Sequence, residues 1–291
     1  MTPGSQPEVA VILPEDHGAV AEFLHTHLNP RVPTGAWRGL LAPTWAGGGD
    51  SGHVLRVGEE VVGAYIVVPS RRRLGEDQAG EAREIRNLAA FCVREEYRAH
   101  SLLLVRRALA RKDVVYTDLS PSGNVPAMNE RLGFQYLDTR TRLVLNAPRT
   151  TGGLRVTGDP DVIAAVVSGR DAQVYRDHRD AAAARHLVAI SGERYAYVMY
   201  RRDARKRLRV FASLLYVGGD AGTLAEAWPA VGAHLLRKGH LATLAERRVV
   251  GFTPRGIGLD LSSTRPKMYK GPGVDPGDID YLYSELVLIE W

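Results

Sequence analysis

The stretch Glu84–Phe134, EIRNLAAFCVREEYRAHSLLLVRRALARKDVVYTDLSPSGNVPAMNERLGF, decides how the rest of the chain is read. Leu88 to Val93 is an apolar run of strand length. Glu95-Glu96-Tyr97-Arg98 breaks it, and Ser101 to Ala110 continues with helical character. Val114, Val115 and Tyr116 form a second β-branched and aromatic run, which stops at the turn-forming Ser120-Pro121-Ser122-Gly123. A short helix closing on Gly133-Phe134 ends the stretch. A strand leading to a helix N-terminus, followed by a parallel strand, offers backbone N–H groups to an anion. A phosphate-bearing cofactor is the expectation that follows.

The 291 residues suffice for two domains or one large one. A hydrophobic fraction of 45% with 24% charged residues is that of a globular chain. No apolar run approaches the ~18–20 residues of a membrane span. Met1 to Glu8 is polar and lacks an apolar signal core, so a cytoplasmic location is expected. Cys92 is the only cysteine, which excludes an internal disulfide and a cysteine-built zinc site; no metal is expected. The net charge of +5 and pI of 9.4 suit an anionic cofactor or weak contact with nucleic acid, and equally a solvated basic surface.

Upstream of the quoted stretch, Val9 to Leu13 reads as a strand. Pro14-Glu15-Asp16 starts a helix to about Leu28, with acidic residues in its first turn. Pro30 to Gly52 reads as a loop rich in Pro, Gly and Trp, placed to line a substrate entrance. His53–Val57 and Val61–Val68 form a hairpin around Gly58-Glu59-Glu60, with Gly63 marking a bulge or a close backbone approach. Downstream, Tyr136 to Leu145 alternates as a strand, and Asn146 to Gly153 is the best linker candidate. This predicts domains at 1–146 and 154–291.

The second half repeats the layout. VLRVGEEVVGAYIVV and LVAISGERYAYVMYR align at a shift of 133 positions, with apolar sites coinciding and the glycine-acid turn kept to within one residue. Arg209–Val217, the helix Leu224–Arg237 and the strand Ala242–Ala245 follow. Arg265 to Lys270 reads as a late loop able to cover a cleft between the units. Tyr281 to Ile289, YLYSELVLI, alternates as a last strand whose Glu285 could face that cleft.

The order strand, helix, loop, hairpin, strand, basic helix, strand, helix resembles that of the GCN5-related N-acetyltransferases over residues 9–145. Val93-Arg94-Glu95-Glu96-Tyr97-Arg98 is similar to that family's approach to its pyrophosphate turn, and Asn129-Glu130-Arg131-Leu132-Gly133-Phe134 to the end of its second motif. The resemblance implies an α/β (α+β) fold of two such units, each a mixed, mostly antiparallel sheet flanked by helices, the second copy degenerate. It implies an acyltransferase moving an acetyl or other acyl group from acyl-CoA to a small-molecule amine. Phe91, Cys92 and Val93 would bond the pantetheine arm. Arg98, Ala99, His100, Ser101, Leu102 and Leu103, with Asn124, would hold the rest of the cofactor. Glu84 would be the general base, with Asn87 beside it.

The sequence departs from the family at two points. Ser101 and Leu103 stand where glycines let backbone approach phosphate; Leu103 is expected to face the core. Asn129 stands where many members carry the tyrosine that protonates the thiolate, leaving Tyr116, Cys92 or Ser120 as substitutes. Two other readings remain: a Fem-like transferase using aminoacyl-tRNA, and a non-catalytic tandem fold kept for binding. No membrane partner is expected, nucleic acid only as tRNA, and a homodimer is compatible with the pattern.

Overall fold

The computed structural model describes residues 6–45, 50–74, 81–149, 153–205, 208–262 and 264–290. The first half contains β1 (Glu8–Val11), a 3-10 turn Pro14–Asp16, α1 (His17–His27), α2 (Thr34–Leu41), β2 (Gly52–Val57), β3 (Glu60–Arg72) and β4 (Arg83–Val93). A 3-10 turn, Glu95–His100, then runs into α3 (Ser101–Ala108), followed by β5 (Val115–Asp118), α4 (Val125–Arg131), β6 (Gln135–Tyr136) and β7 (Thr141–Leu145). The second half contains β8 (Arg155–Thr157), α5 (Pro160–Val166), α6 (Gly169–His178), β9 (Arg185–Ser191), β10 (Arg194–Arg205) and β11 (Leu208–Gly219). It continues through α7 (Ala221–Arg237), β12 (Ala242–Glu246), α8 (Arg247–Val250), β13 (Gly258–Leu261), β14 (Met268–Lys270) and α9 (Glu285–Leu288).

These strands make two seven-stranded sheets. The first has the order β1-β2-β3-β4-β5-β14-β6; the second, read from its β8 edge, has β8-β9-β10-β11-β12-β7-β13. Position by position the orders correspond. In each, four antiparallel strands are followed by a fifth parallel to the fourth. The hairpin repeat seen in the sequence has a structural counterpart, with β2–β3 matching β9–β10.

The sixth place of each sheet is filled from the opposite half. β14 enters between β5 and β6, while β7 enters between β12 and β13. The alternating stretch Tyr136–Leu145 is therefore not one strand. It breaks at Leu137–Arg140, where Asp138 and Arg140 form an ion pair at 2.6 Å, and its two ends belong to different sheets. Of the linker read at Asn146–Gly153, residues 150–152 lie outside the described residues. The late stretch Arg265–Lys270 likewise ends in β14 instead of lying open as a loop.

Three apolar clusters layer the molecule. Leu104, Val105 and Ala108 of α3 pack on one face of the first sheet with Val67, Tyr116, Phe134 and Met268. Trp228, Val231 and Leu235 of α7 cover the far face of the second. Between the sheets lies a shared core of α1, α2, α5 and α6 together with Ile279–Ile289. Burial on both sides is why the apolar stretches of β3, β4 and β10 run nearly without alternation. A Cβ on Gly63 would come within 3.1 Å of Val93 and 3.3 Å of Leu104, so α3 lies directly on the strand there.

Two further sequence expectations change. Pro30–Gly52 holds α2, whose Trp37, Leu40 and Leu41 are buried on one face. Its glycines disguised the helical spacing. Tyr281–Ile289 is not a strand: Tyr283 has φ of 56° and Ser284 caps the single helical turn α9, its hydroxyl accepting from Leu286 N–H. The segment threads between two sheets and is buried on all sides, so its apolar pattern reflects enclosure and not pleating.

Candidate active site between β4 and β5

The register of β4 creates the candidate site. Ile66 opposes Ala90 but Val67 opposes Leu88, leaving Ala89 as a bulge. On its other side β4 pairs with β5 only through Ile85–Asn87 and Val115–Thr117. Beyond these residues the strands separate, and a cavity of about 510 Å³ opens between them. Leu88 to Phe91 line one wall and Asp118 with Ser120–Ser122 the other; Tyr65 and Arg265 also reach it. Among the described residues no strand pairs with this edge of β4, so its backbone groups are available to an extended ligand.

A buried polar cluster stands at the closed end. Asn87 donates to Glu285 through its side-chain amide and accepts from the Thr117 hydroxyl at 3.0 Å. Ser120 donates to the other oxygen of Glu285 at 2.5 Å. Glu285 is fully enclosed, and burial pushes its carboxyl up. Asp118 accepts from Asn129 at 2.8 Å. Burial first, and the charge of Glu285 second, raise Asp118 to about 7. Asn129 thus stands where the resemblance placed a proton donor, and it holds a carboxyl instead.

The residues singled out from sequence are distributed over this region unevenly. Glu84 lies at the start of β4, before the strands part, and its carboxylate sits between Arg86 (3.1 Å) and Arg111 (2.7 Å). The Tyr116 hydroxyl faces away from the cavity, donating to Arg111 O at 3.0 Å and accepting from its N–H at 3.1 Å. Asn87 is in the polar cluster. Phe91 lines the cavity; Cys92, one residue on, packs toward the shared core, where burial raises its thiol to about 11. Val93 packs under α3. Asn124 precedes α4.

Arg98 to Leu103 form a closed turn. The 3-10 residues Glu95–His100 pass straight into α3, and Ser101 N–H bonds to Arg98 O. Glu95 and Glu96 occupy the first turn, and Arg98 pairs with Glu95 at 3.6 Å in an exposed position. Ala99 and His100 belong to the same turn. Leu102 and Leu103 are exposed, so Leu103 does not face the core; Leu104 and Val105 do. The slot suits the extended arm of pantetheine. The turn, closed and carrying two carboxylates, does not suit a diphosphate.

Asp118 and Glu285 were missed as a pair. A carboxylate inside the apolar run Val114–Leu119 was the available signal for Asp118. Nothing in the sequence brings Glu285 to it.

The equivalent place in the second sheet also opens on a cavity, of about 450 Å³, lined by Leu215–Gly219 with Arg170 and Asp171. β11 carries a matching bulge at Leu215 and parts from β12 after Ser213. The Asp171 carboxylate, held by Tyr195 (2.9 Å) and Tyr216 (2.7 Å), fills the space beside Gly218, where a Cβ would lie 1.9 Å from it. Among the described residues no group of three or more His, Cys, Asp or Glu is placed to hold a metal ion, and no helix is long and apolar enough to cross a membrane.

No family model matches the sequence, and no curated protein matches it. Solved structures do. A GCN5-related N-acetyltransferase from Kribbella flavida superimposes with a TM-score of 0.58 at 16% identity, over 91% of this chain and 70% of that one. One from Anabaena variabilis gives 0.58 at 10%, over 91% and 72%. A putative acetyltransferase from Pyrococcus horikoshii gives 0.52 at 11%, over 97% and 95%. The matches span both sheets, so this chain has the GCN5-related N-acetyltransferase fold, built as two such units.

Proposed function

We propose that this chain is an acyltransferase that moves an acyl group from a pantetheine thioester, carried by coenzyme A, to the amine of a small molecule. The observation that carries the reading is Asp118, a carboxyl with a pKa of about 7 on the wall of a slot opened by parting strands. An attacking amine must first lose a proton, and a base titrating near the working pH does this best. Asp118 takes that proton; Asn129 holds the carboxyl in place, and burial, with Glu285 second, keeps its pKa high. Backbone groups of Ala89–Phe91 are suited to bond the arm and to polarise the carbonyl. The bound thioester supplies the activated acyl carbon; the new C–N bond replaces its C–S bond, and coenzyme A leaves as the thiolate, which takes its proton from solvent.

Donor recognition then rests on the arm, because the Glu95–His100 turn offers no cradle to a diphosphate. The site lies in the unit of residues 1–146 completed by Glu285 and β14 from 154–291. The test is Asp118→Asn, assayed with acetyl-CoA and a panel of amines, with thermal shift by acetyl-CoA as a binding control. We expect at least about a 100-fold loss of kcat/KM with binding retained. Full activity would refute the role. Stabilisation by tRNA that fades with salt would favour the Fem-like donor instead.

A further inference from the structure

A second, smaller cavity of about 60 Å³ lies behind the candidate site, between the two sheets. Ser120 and Arg265 line both cavities. The inner one is surrounded by four cations, Arg201, Arg205, Arg265 and Lys267, and two carboxylates, Asp203 and Glu246. Arg205 and Arg265 pair with Asp203 (3.3 and 3.6 Å), and Lys267 pairs with Glu246 (2.7 Å).

Arg201 has no carboxylate partner among the described residues. It is 6% exposed, its terminal nitrogens donate to Leu286 O (3.1 Å) and Ile289 O (3.2 Å), and its buried Nε has no acceptor. Burial lowers its pKa. Asp203, Glu285 and Glu290 act on it only from beyond ion-pair distance, so the enclosed guanidinium still lacks a contacting anion, and that costs free energy. The space is that of about two water molecules, which fits a carboxylate head and little more.

We infer that this inner cavity is a carboxylate site that receives the acidic end of the acceptor, so that the acceptor class is an amino acid or a similar amine bearing a carboxylate. The inference rests on the reading of Asp118 as the base: the amine would lie at Asp118 in the outer cavity and the acid group at Arg201 and Arg265 in the inner one. The same excess of positive charge disfavours polyamine acceptors.

Binding of 4-aminobutyrate, butyrate and butylamine is measured by calorimetry and thermal shift, with chloride and sulfate titrated as separate arms. Both carboxylates are expected to bind, butylamine not, and Arg201→Met to lose at least about tenfold in affinity. Arg265→Met, at a more exposed side chain, is expected to show the same loss and keeps the test open if Arg201→Met does not fold. Butyrate needs no acyl transfer, so its binding stands or falls independently of the proposed activity. Equal binding of butylamine, unchanged affinity in the variants, or an equal response to chloride or sulfate would each overturn the inference.

Discussion

The Ser120 hydroxyl lies 2.5 Å from a carboxylate oxygen of Glu285, 165 positions away in the chain. That bond, with the one from Asn87, fixes a carboxyl from the second half beside the β4–β5 opening of the first. Glu285 is a source of the upward shift of Asp118. Replacing it by Gln removes the like charge and keeps an acceptor for Ser120. The acid limb of the kcat/KM profile should then move to lower pH by about one unit or less. An unmoved limb would show that the two carboxyls do not act together.

Stability should carry the imprint of Asp118. Its carboxyl titrates near 3.8 when unfolded and near 7 when folded. Between these values the folded state holds a proton that the unfolded state has released. The contribution is thus full below about pH 4 and is lost as pH rises to about 7. In urea titrations across that window, wild type should lose on the order of 3 kcal/mol more than Asp118→Asn. Parallel profiles would contradict it.

Glu246 gathers an ion pair from Lys267, a hydrogen bond from Tyr281 and a contact from Arg248 at 3.6 Å. Lys267 is mostly buried, its Nζ 3.5 Å from the centre of the Tyr281 ring, and burial lowers its pKa to about 8. Glu246→Gln leaves this ammonium uncompensated. Destabilisation of about 3–5 kcal/mol is expected by chemical denaturation. Lys267→Met should cost clearly less, because Arg248 still faces the carboxylate.

Donor recognition can be read by comparing acetyl-CoA with acetyl-pantetheine. With no N–H cradle at Glu95–His100, the two should bind within about tenfold of each other, with a shallow dependence on salt. A preference of several hundredfold for acetyl-CoA would mean that the turn opens to take the diphosphate.

Fragments 1–146 and 154–291 each lack one strand of their own sheet. Expressed separately, each should aggregate or stay unfolded by circular dichroism; co-expressed, they should purify as a complex. Independent folding of either would contradict a structural requirement for the exchange.

Most of the first unit was legible because its strands are apolar runs bounded by turns and its helices have clean apolar faces. The pairing of β2–β3 with β9–β10 was legible because both hairpins keep the same glycine-acid turn. What escaped notice depends on distance in the chain. Thr141–Leu145 carries a strand pattern regardless of which sheet receives it. Tyr281–Ile289 alternates, yet enclosure sets its pattern. Asp118 is a lone acid whose environment is made by Glu285, and Glu84, the more visible acid, proves to be held by Arg86 and Arg111.

The strand exchange also sets a timetable for synthesis. The first sheet waits for Met268–Lys270 to leave the ribosome, so its β5 and β6 edges stay open while nearly the whole second half is being made. Until then the first half presents an edge that only the second half fills. A message interrupted before codon 268 yields not a working half but a chain with an unpaired sheet edge, a substrate for chaperones and proteases. By the same geometry, recombination that passes on either half alone passes on a sheet short of one strand.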